Sequence, residues 1–211
     1  MKRVIRRGVF ETNSSSMHSI VILKKDVNNE KQDDNTWITK GKLHIYESDL
    51  EFGRSPFEIL STAERKLHYA IASILQSAVW GHVTEDGNCD EYLSSKLDEF
   101  DSIASGVFTG CTGIDYPMIT KHDEASEWEE PDLGYVDHES SGLLAHFLDK
   151  EGISLYEFVS DPKYVVVVDG DEYCVFNTMK HSGLINTNNI KKEYCLDHHF
   201  YDFVHEEDKK I

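Results

Sequence analysis

The most unusual string in the sequence is ETNSSSMHS, residues 11–19, in which carboxylate, amide, hydroxyl and imidazole groups follow one another closely. A serine becomes a nucleophile when a neighbouring base takes its proton, and histidine is the most common base. We therefore take Ser15, His18 and Glu11 as candidate catalytic residues. The G-x-S-x-G pattern of the α/β-hydrolases is absent, so the string does not indicate that class of serine enzyme.

Anion binding is a second chemistry that the same segment could support. Asn13 lies within the string, and Arg6 and Arg7 come shortly before it. Short hydroxyl and amide side chains can cradle a phosphate, and arginine pairs with anions through a planar fork of donors. These three residues are the candidate ligand-binding residues. The alternative is a turn in which the Ser and Asn side chains bond their own backbone, and the sequence leaves both interpretations open.

A local Asp-His pair is the candidate site for a divalent metal ion. Asp137 and His138 offer the oxygen and nitrogen ligands that such ions accept. Neighbouring residues of a helix point in different directions, however, and acids are also common where a helix begins. No cofactor is firmly implied by the sequence, and a divalent metal ion stays a hypothesis.

A tryptophan between acids is the candidate anchor for a protein partner. Glu127, Trp128, Glu129 and Glu130 stand together in a polar stretch. Tryptophan is enriched at the centres of protein interfaces, which favours a partner-binding role. The alternative is a tryptophan that folds back onto the protein's own core.

Charge is distributed unevenly along the chain. The 211 residues contain 21 Lys and Arg against 39 Asp and Glu, a net charge of −18. Residues 85–139 alone contain 16 acidic residues and two lysines, Lys96 and Lys121, which gives −14. A protein that reads nucleic acid needs clustered basic residues, so we expect no sequence-specific binding to DNA or RNA. The acidic segment fits a basic surface on another protein, or it simply keeps the fold in solution.

The opening R-R-G-V-F-E-T-N-S-S-S-M-H-S, residues 6–19, resembles the N-terminal signature of uncharacterised proteins encoded by phages and mobile elements. The segment YVDHES, residues 135–140, is similar to a second patch shared by that group. The resemblance implies an accessory protein that works in the cytoplasm of a bacterial host. It implies no particular activity and no catalytic residues.

Local patterns predict an α+β fold with one domain over residues 1–211. A mixed or antiparallel sheet containing 19–23, 43–46 and 163–168 is expected to be packed by several amphipathic helices. Amphipathic patterns predict helices at 61–79, 90–104, 142–149 and 153–160. Ser61 and Glu64 form a capping-box pattern at the start of the first helix. The alternative is that this helix starts earlier, near Ser55. Residues 105–140 are predicted to form a long, irregular, acidic loop or lid.

Two function classes follow from these patterns. The first is an acidic inhibitor that binds a basic surface of a nucleic-acid-handling host or defence protein, such as a CRISPR effector. The second is an enzyme or binding module that acts on a nucleotide or phosphate ester through residues 11–19. The sequence shows no apolar run long enough for a membrane span, and its four dispersed cysteines favour free thiols in a reducing cytoplasm.

Overall fold

Short strands and four α-helices make up the part of the chain that the computed structural model describes. The described residues are 17–22, 37–52, 58–77, 89–116, 135–136, 142–169 and 194. The strands are β1 (Met17–Ile22), β2 (Ile38–Thr39), β3 (Lys42–His44), β4 (Glu51–Phe52), β5 (Glu58–Leu60), β6 (Ile114–Asp115), β7 (Tyr135–Val136) and β8 (Tyr164–Asp169). The helices are α1 (Ala63–Ser77), α2 (Cys89–Val107), α3 (Leu143–Glu151) and α4 (Leu155–Ser160), and a 3-10 turn spans Glu47–Leu50.

The strands form small mixed and antiparallel sheets, as the α+β class predicts. Strand β8 lies between β1 and β5 and is antiparallel to both. A second sheet has the order β2-β3-β6, with β3 parallel to β6, and a third pairs β4 with β7. The prediction that 43–46 shares a sheet with 19–23 and 163–168 was wrong. Lys42–His44 instead bonds to the adjacent hairpin strand on one side and to β6 on the other.

Strand β8 is the buried centre of the first sheet. Each residue from Val165 to Val168 is at most 1 % exposed. A continuous run of β-branched residues is typical of a strand that is covered on both faces, because neither face needs polar side chains. The sequence predicted this strand at 163–168, and the structure has it at Tyr164–Asp169.

Helix α1 is buried on all sides over its middle two turns. Every residue from Lys66 to Ser73 is buried, and the helix packs against β4, β7 and the other three helices. The predicted cap was displaced by one residue: the Arg65 amide donates to the Thr62 hydroxyl at 3.2 Å, so Thr62 replaces Ser61 as the capping residue. The earlier start was also wrong, because Glu58–Leu60 forms β5 and pairs with β8.

The other helices agree closely with the sequence patterns. Helix α2 covers the predicted 90–104 and places Phe100, Ile103 and Ala104 in the core. Helix α4 begins after Ser154, whose hydroxyl accepts from the Glu157 amide at 3.0 Å. Among the described helices, none combines the length and apolar content that a bilayer span requires.

The core face of α1 gives a direct test of this packing. Replacing Ile71, which is fully buried, with Ala should lower the free energy of unfolding by about 2–5 kcal/mol, because the lost methylenes leave a cavity. Ile59→Ala, at a side chain that is 41 % exposed on β5, is the matched control and should cost well under half as much. Chemical denaturation would measure both, and equal losses would contradict the packing of α1.

Candidate functional site

Of the residues that the sequence singled out as functional, His18 is the one within the described part of the chain. It occupies the second position of β1 and pairs with Val168, while Met17 pairs with Asp169. Residues 17–19, the end of the predicted loop at 11–19, are therefore part of a strand, since they pair with β8. The other candidates lie outside the described residues: Arg6, Arg7, Glu11, Asn13, Ser15, Glu127, Trp128, Glu129, Glu130, Asp137 and His138.

The antiparallel register brings the start of β1 to the end of β8. Asp169 is the last residue of β8, and it stands opposite the residue that precedes His18. The backbone of the predicted Ser-His segment thus leads to a strand end that carries a carboxylate. The catalytic role of residues 11–19 stays a prediction.

Metal binding finds no support among the side chains that the structure describes. Within those ranges, no group of three or more His, Cys, Asp or Glu side chains is arranged to hold a metal ion. The predicted ligands Asp137 and His138 lie outside those ranges, so the metal hypothesis stays a prediction.

Lys66 is a charged side chain that is buried in the described core. It is 1 % exposed, and its ammonium donates to the backbone oxygens of Phe158 at 2.9 Å and Asp161 at 2.7 Å. Those oxygens belong to the last turn and the end of α4, where a helix leaves carbonyls unpaired and a cation is favourable. The ammonium also lies 5.7 Å from the centre of the Phe158 ring.

Burial sets the protonation behaviour of Lys66. Burial lowers its pKa to about 8, and the Asp161 carboxylate acts in the opposite direction. A lysine with a lowered pKa can act as a nucleophile, but this ammonium is shielded from solvent and already bonded to two carbonyls. We therefore assign Lys66 a structural role: it joins α1 to the end of α4.

His68, two residues further along α1, is buried without any such partners. Its side chain is 3 % exposed, and neither ring nitrogen has a hydrogen-bond partner within the described structure. Burial lowers its pKa to about 4; the Asp49 carboxylate raises the pKa and the Arg65 guanidinium lowers it, both by less. The imidazole is therefore neutral at pH 7, and no substrate can reach it.

Carboxylates cluster where α2 meets β6. Asp101 accepts from the Ile114 amide at 2.8 Å, which fixes the helix against the strand. Asp98 is exposed on the same side of the helix, one turn before Asp101. Burial raises the pKa of Tyr116, and the charges of Asp101 and Asp98 raise it further. This arrangement presents negative charge on a rigid helix and provides no nucleophile.

The single lysine of α2, Lys96, pairs with Glu99 and does not neutralise Asp98 or Asp101. The Lys96 ammonium lies 2.7 Å from the Glu99 carboxylate and 5.8 Å from the centre of the Tyr92 ring. Within the described ranges, no basic side chain forms an ion pair with Asp98 or Asp101. Among the described residues, this side of α2 therefore carries the exposed Asp98 carboxylate without a paired basic side chain.

Comparisons of the chain with protein-family models, with curated proteins and with solved structures found no match.

The buried His68 predicts a specific acid sensitivity. Because its folded pKa of about 4 lies below the unfolded value of 6.5, the unfolded chain takes up the proton first as the pH falls. Stability that is fully present above pH 6.5 should be lost progressively down to about pH 4, by up to about 3 kcal/mol from this residue.

The His68→Leu variant should lose most of that slope, as measured by denaturation at a series of pH values. Leu75→Val, a buried change that removes no titratable group, is the control and should keep the slope of the unsubstituted protein. An acid slope that His68→Leu leaves unchanged would show that His68 is already accessible to protons in the folded state.

Proposed function

We propose that this protein binds a basic surface of another protein through its acidic segment, residues 85–139. The observation that carries this proposal is the excess of 16 acidic residues over two lysines within those 55 positions. The partner class that fits is a nucleic-acid-handling effector, because its phosphate-binding groove must be basic. The carboxylates of this chain would then occupy the places of phosphates and inhibit the effector.

The described part of the acidic segment supports the proposal through its rigidity. Asp98 lies on a 19-residue helix that is anchored in the core by Phe100, Ile103 and Ala104. Charges on a fixed scaffold lose little conformational entropy when they meet a partner, whereas charges on a free chain must be ordered. The pairing of Lys96 with Glu99 keeps that lysine from competing with a partner's cations.

The resemblance of residues 6–19 to phage and mobile-element proteins suggests where such an inhibitor works. A phage benefits when host nucleases or CRISPR effectors are blocked, so an anti-defence role in a bacterial cytoplasm is the setting we propose. Complementary charge would make association fast and sensitive to salt, since the Debye length falls from about 10 Å at 0.1 M to about 3 Å at 1 M.

Charge reversal at matched positions tests the proposal. We would measure association rates by surface plasmon resonance against a panel of RNA-guided nucleases and restriction endonucleases, together with inhibition of DNA cleavage. Asp98→Lys should slow association with the inhibited effector several-fold at low salt, and a combined reversal at Glu127, Glu129 and Glu130 should slow it most.

The control is Asp149→Lys, at an exposed position of α3 outside the acidic segment. It makes the same change in net charge as Asp98→Lys, so it separates a local contact from a general effect of charge. Association that ignores salt, that responds equally to both single reversals, or that leads to no inhibition across the panel would overturn the proposal.

A further inference from the structure

An exposed face of aromatic and acidic side chains surrounds His44 on the sheet β2-β3-β6. The His44 amide donates to the Trp37 carbonyl at 2.9 Å, which makes Trp37 its neighbour across the hairpin. On the other side, His44 pairs with Asp115, and its Nδ1 lies 3.3 Å from the Asp115 Oδ2. The ring of Tyr46 stacks on the His44 ring, with centroids 6.4 Å apart. We call these four residues the His44 face.

The alternation of the strand directs this face to solvent. Leu43 and Ile45 are at most 1 % exposed, so the residues that alternate with them, Lys42, His44 and Tyr46, lie on the opposite side of the chain. Trp37 is 66 % exposed and Tyr46 is 55 % exposed, the two highest values among the large apolar side chains described. Exposed aromatic side chains at neighbouring positions of a sheet are typical of binding surfaces.

The hairpin that carries the face is held firmly. Lys40 and Gly41 form its turn with φ values of 53° and 77°, a left-handed backbone that Gly41 adopts without strain but that is unfavourable for Lys40. The Gly41 carbonyl accepts two bonds from Thr112, from its amide at 2.7 Å and its hydroxyl at 2.9 Å. After β3, the Tyr46 amide donates to the Asp49 carboxylate at 2.9 Å. The backbone that carries the rings is therefore held in place before any ligand arrives.

We propose that the His44 face binds arginine side chains of a basic protein segment. A guanidinium stacks on tryptophan and tyrosine rings through its flat face and donates to a carboxylate through its edge. Trp37 and Tyr46 supply the rings, and the half-exposed Asp115 supplies the carboxylate.

Charge complementarity selects this occupant. The net charge of −18 repels anionic ligands and favours cationic ones, whereas it does nothing for a neutral ligand that could stack on the same rings. The exposed Asp98 extends the negative charge beyond β6, since Asp101, one turn further along α2, bonds the amide of the residue before Asp115. The Asp101 carboxylate itself borders Gly113 together with the Lys42 ammonium. This inference rests on the proposed function and adds to it the side-chain chemistry of the partner.

The probes are an oligo-arginine and an oligo-lysine peptide of equal length, each labelled and titrated with the full-length protein by fluorescence anisotropy. The oligo-arginine peptide should bind more tightly, because lysine lacks the flat face that stacks. Replacing both Trp37 and Tyr46 with Ala should weaken oligo-arginine binding about tenfold and remove the preference for arginine. Replacing both with Phe should retain most of it.

Tyr156→Ala is the matched control, since Tyr156 is 47 % exposed on α4 and lies outside the face. It should leave the preference for arginine unchanged. Thermal melts of each variant would verify folding. If the double Ala variant has a lowered melting temperature, the peptide affinities of Tyr46→Ala alone provide the test instead.

Four outcomes would overturn the inference. Equal affinities for the two peptides, or a preference that survives in the double Ala variant, would overturn it while salt-sensitive binding kept the proposed function standing. Binding of neither peptide would count against both proposals. Saturable binding of a neutral oligosaccharide that the double Ala variant loses would replace arginine with a sugar as the ligand of this face.

Discussion

The burial of residues 66–73 of α1 on all sides is the constraint on which the described fold depends. These two turns leave no exposed side for a charged group, yet Lys66 is one of them. An unpaired ammonium in such a place would cost several kcal/mol, and the carbonyls at the end of α4 offset that cost. The same bonds satisfy carbonyls that α4 could not satisfy itself. The position of α4 relative to α1 is therefore set by hydrogen bonds as well as by apolar packing.

Helix α2 connects the core to the surface sheet that carries His44. Phe100, Ile103 and Ala104 hold α2 in the core, and Asp101 on the same helix bonds the Ile114 amide of β6. Strand β6 in turn pairs with β3, which carries His44. The acidic side of α2 and the His44 face are thus parts of one continuous structure, although they come from segments far apart in the sequence. A basic partner could contact both at once, which would combine charge attraction with stacking.

Strong local signals explain which elements could be predicted from the sequence. The apolar period of α2, the Ser154 cap of α4 and the valine run of β8 each depend on residues close together, and the structure has all three. The β5 strand was missed because three residues carry little periodicity, and pairing with β8 decides their conformation. The burial of Lys66 and His68 could not be predicted from the sequence either, since it depends on how many elements pack around α1. The pairing of His44 with Asp115 needs a parallel contact between residues 71 positions apart. For the predicted site, the structure places His18 in a strand and leaves the roles of the Ser-rich string and the acidic tryptophan segment as predictions.

Amide hydrogen exchange of the full-length protein, alone and with the effector that it inhibits most strongly, tests the central claim most directly. The account predicts slower exchange in residues 89–116 and 37–46 on binding, because the acidic helix and the His44 face would both become covered. Raising the salt concentration should remove that protection together with the binding. Protection confined to α3 and α4, or to the β1–β8 pair, would place the interface elsewhere and contradict the account.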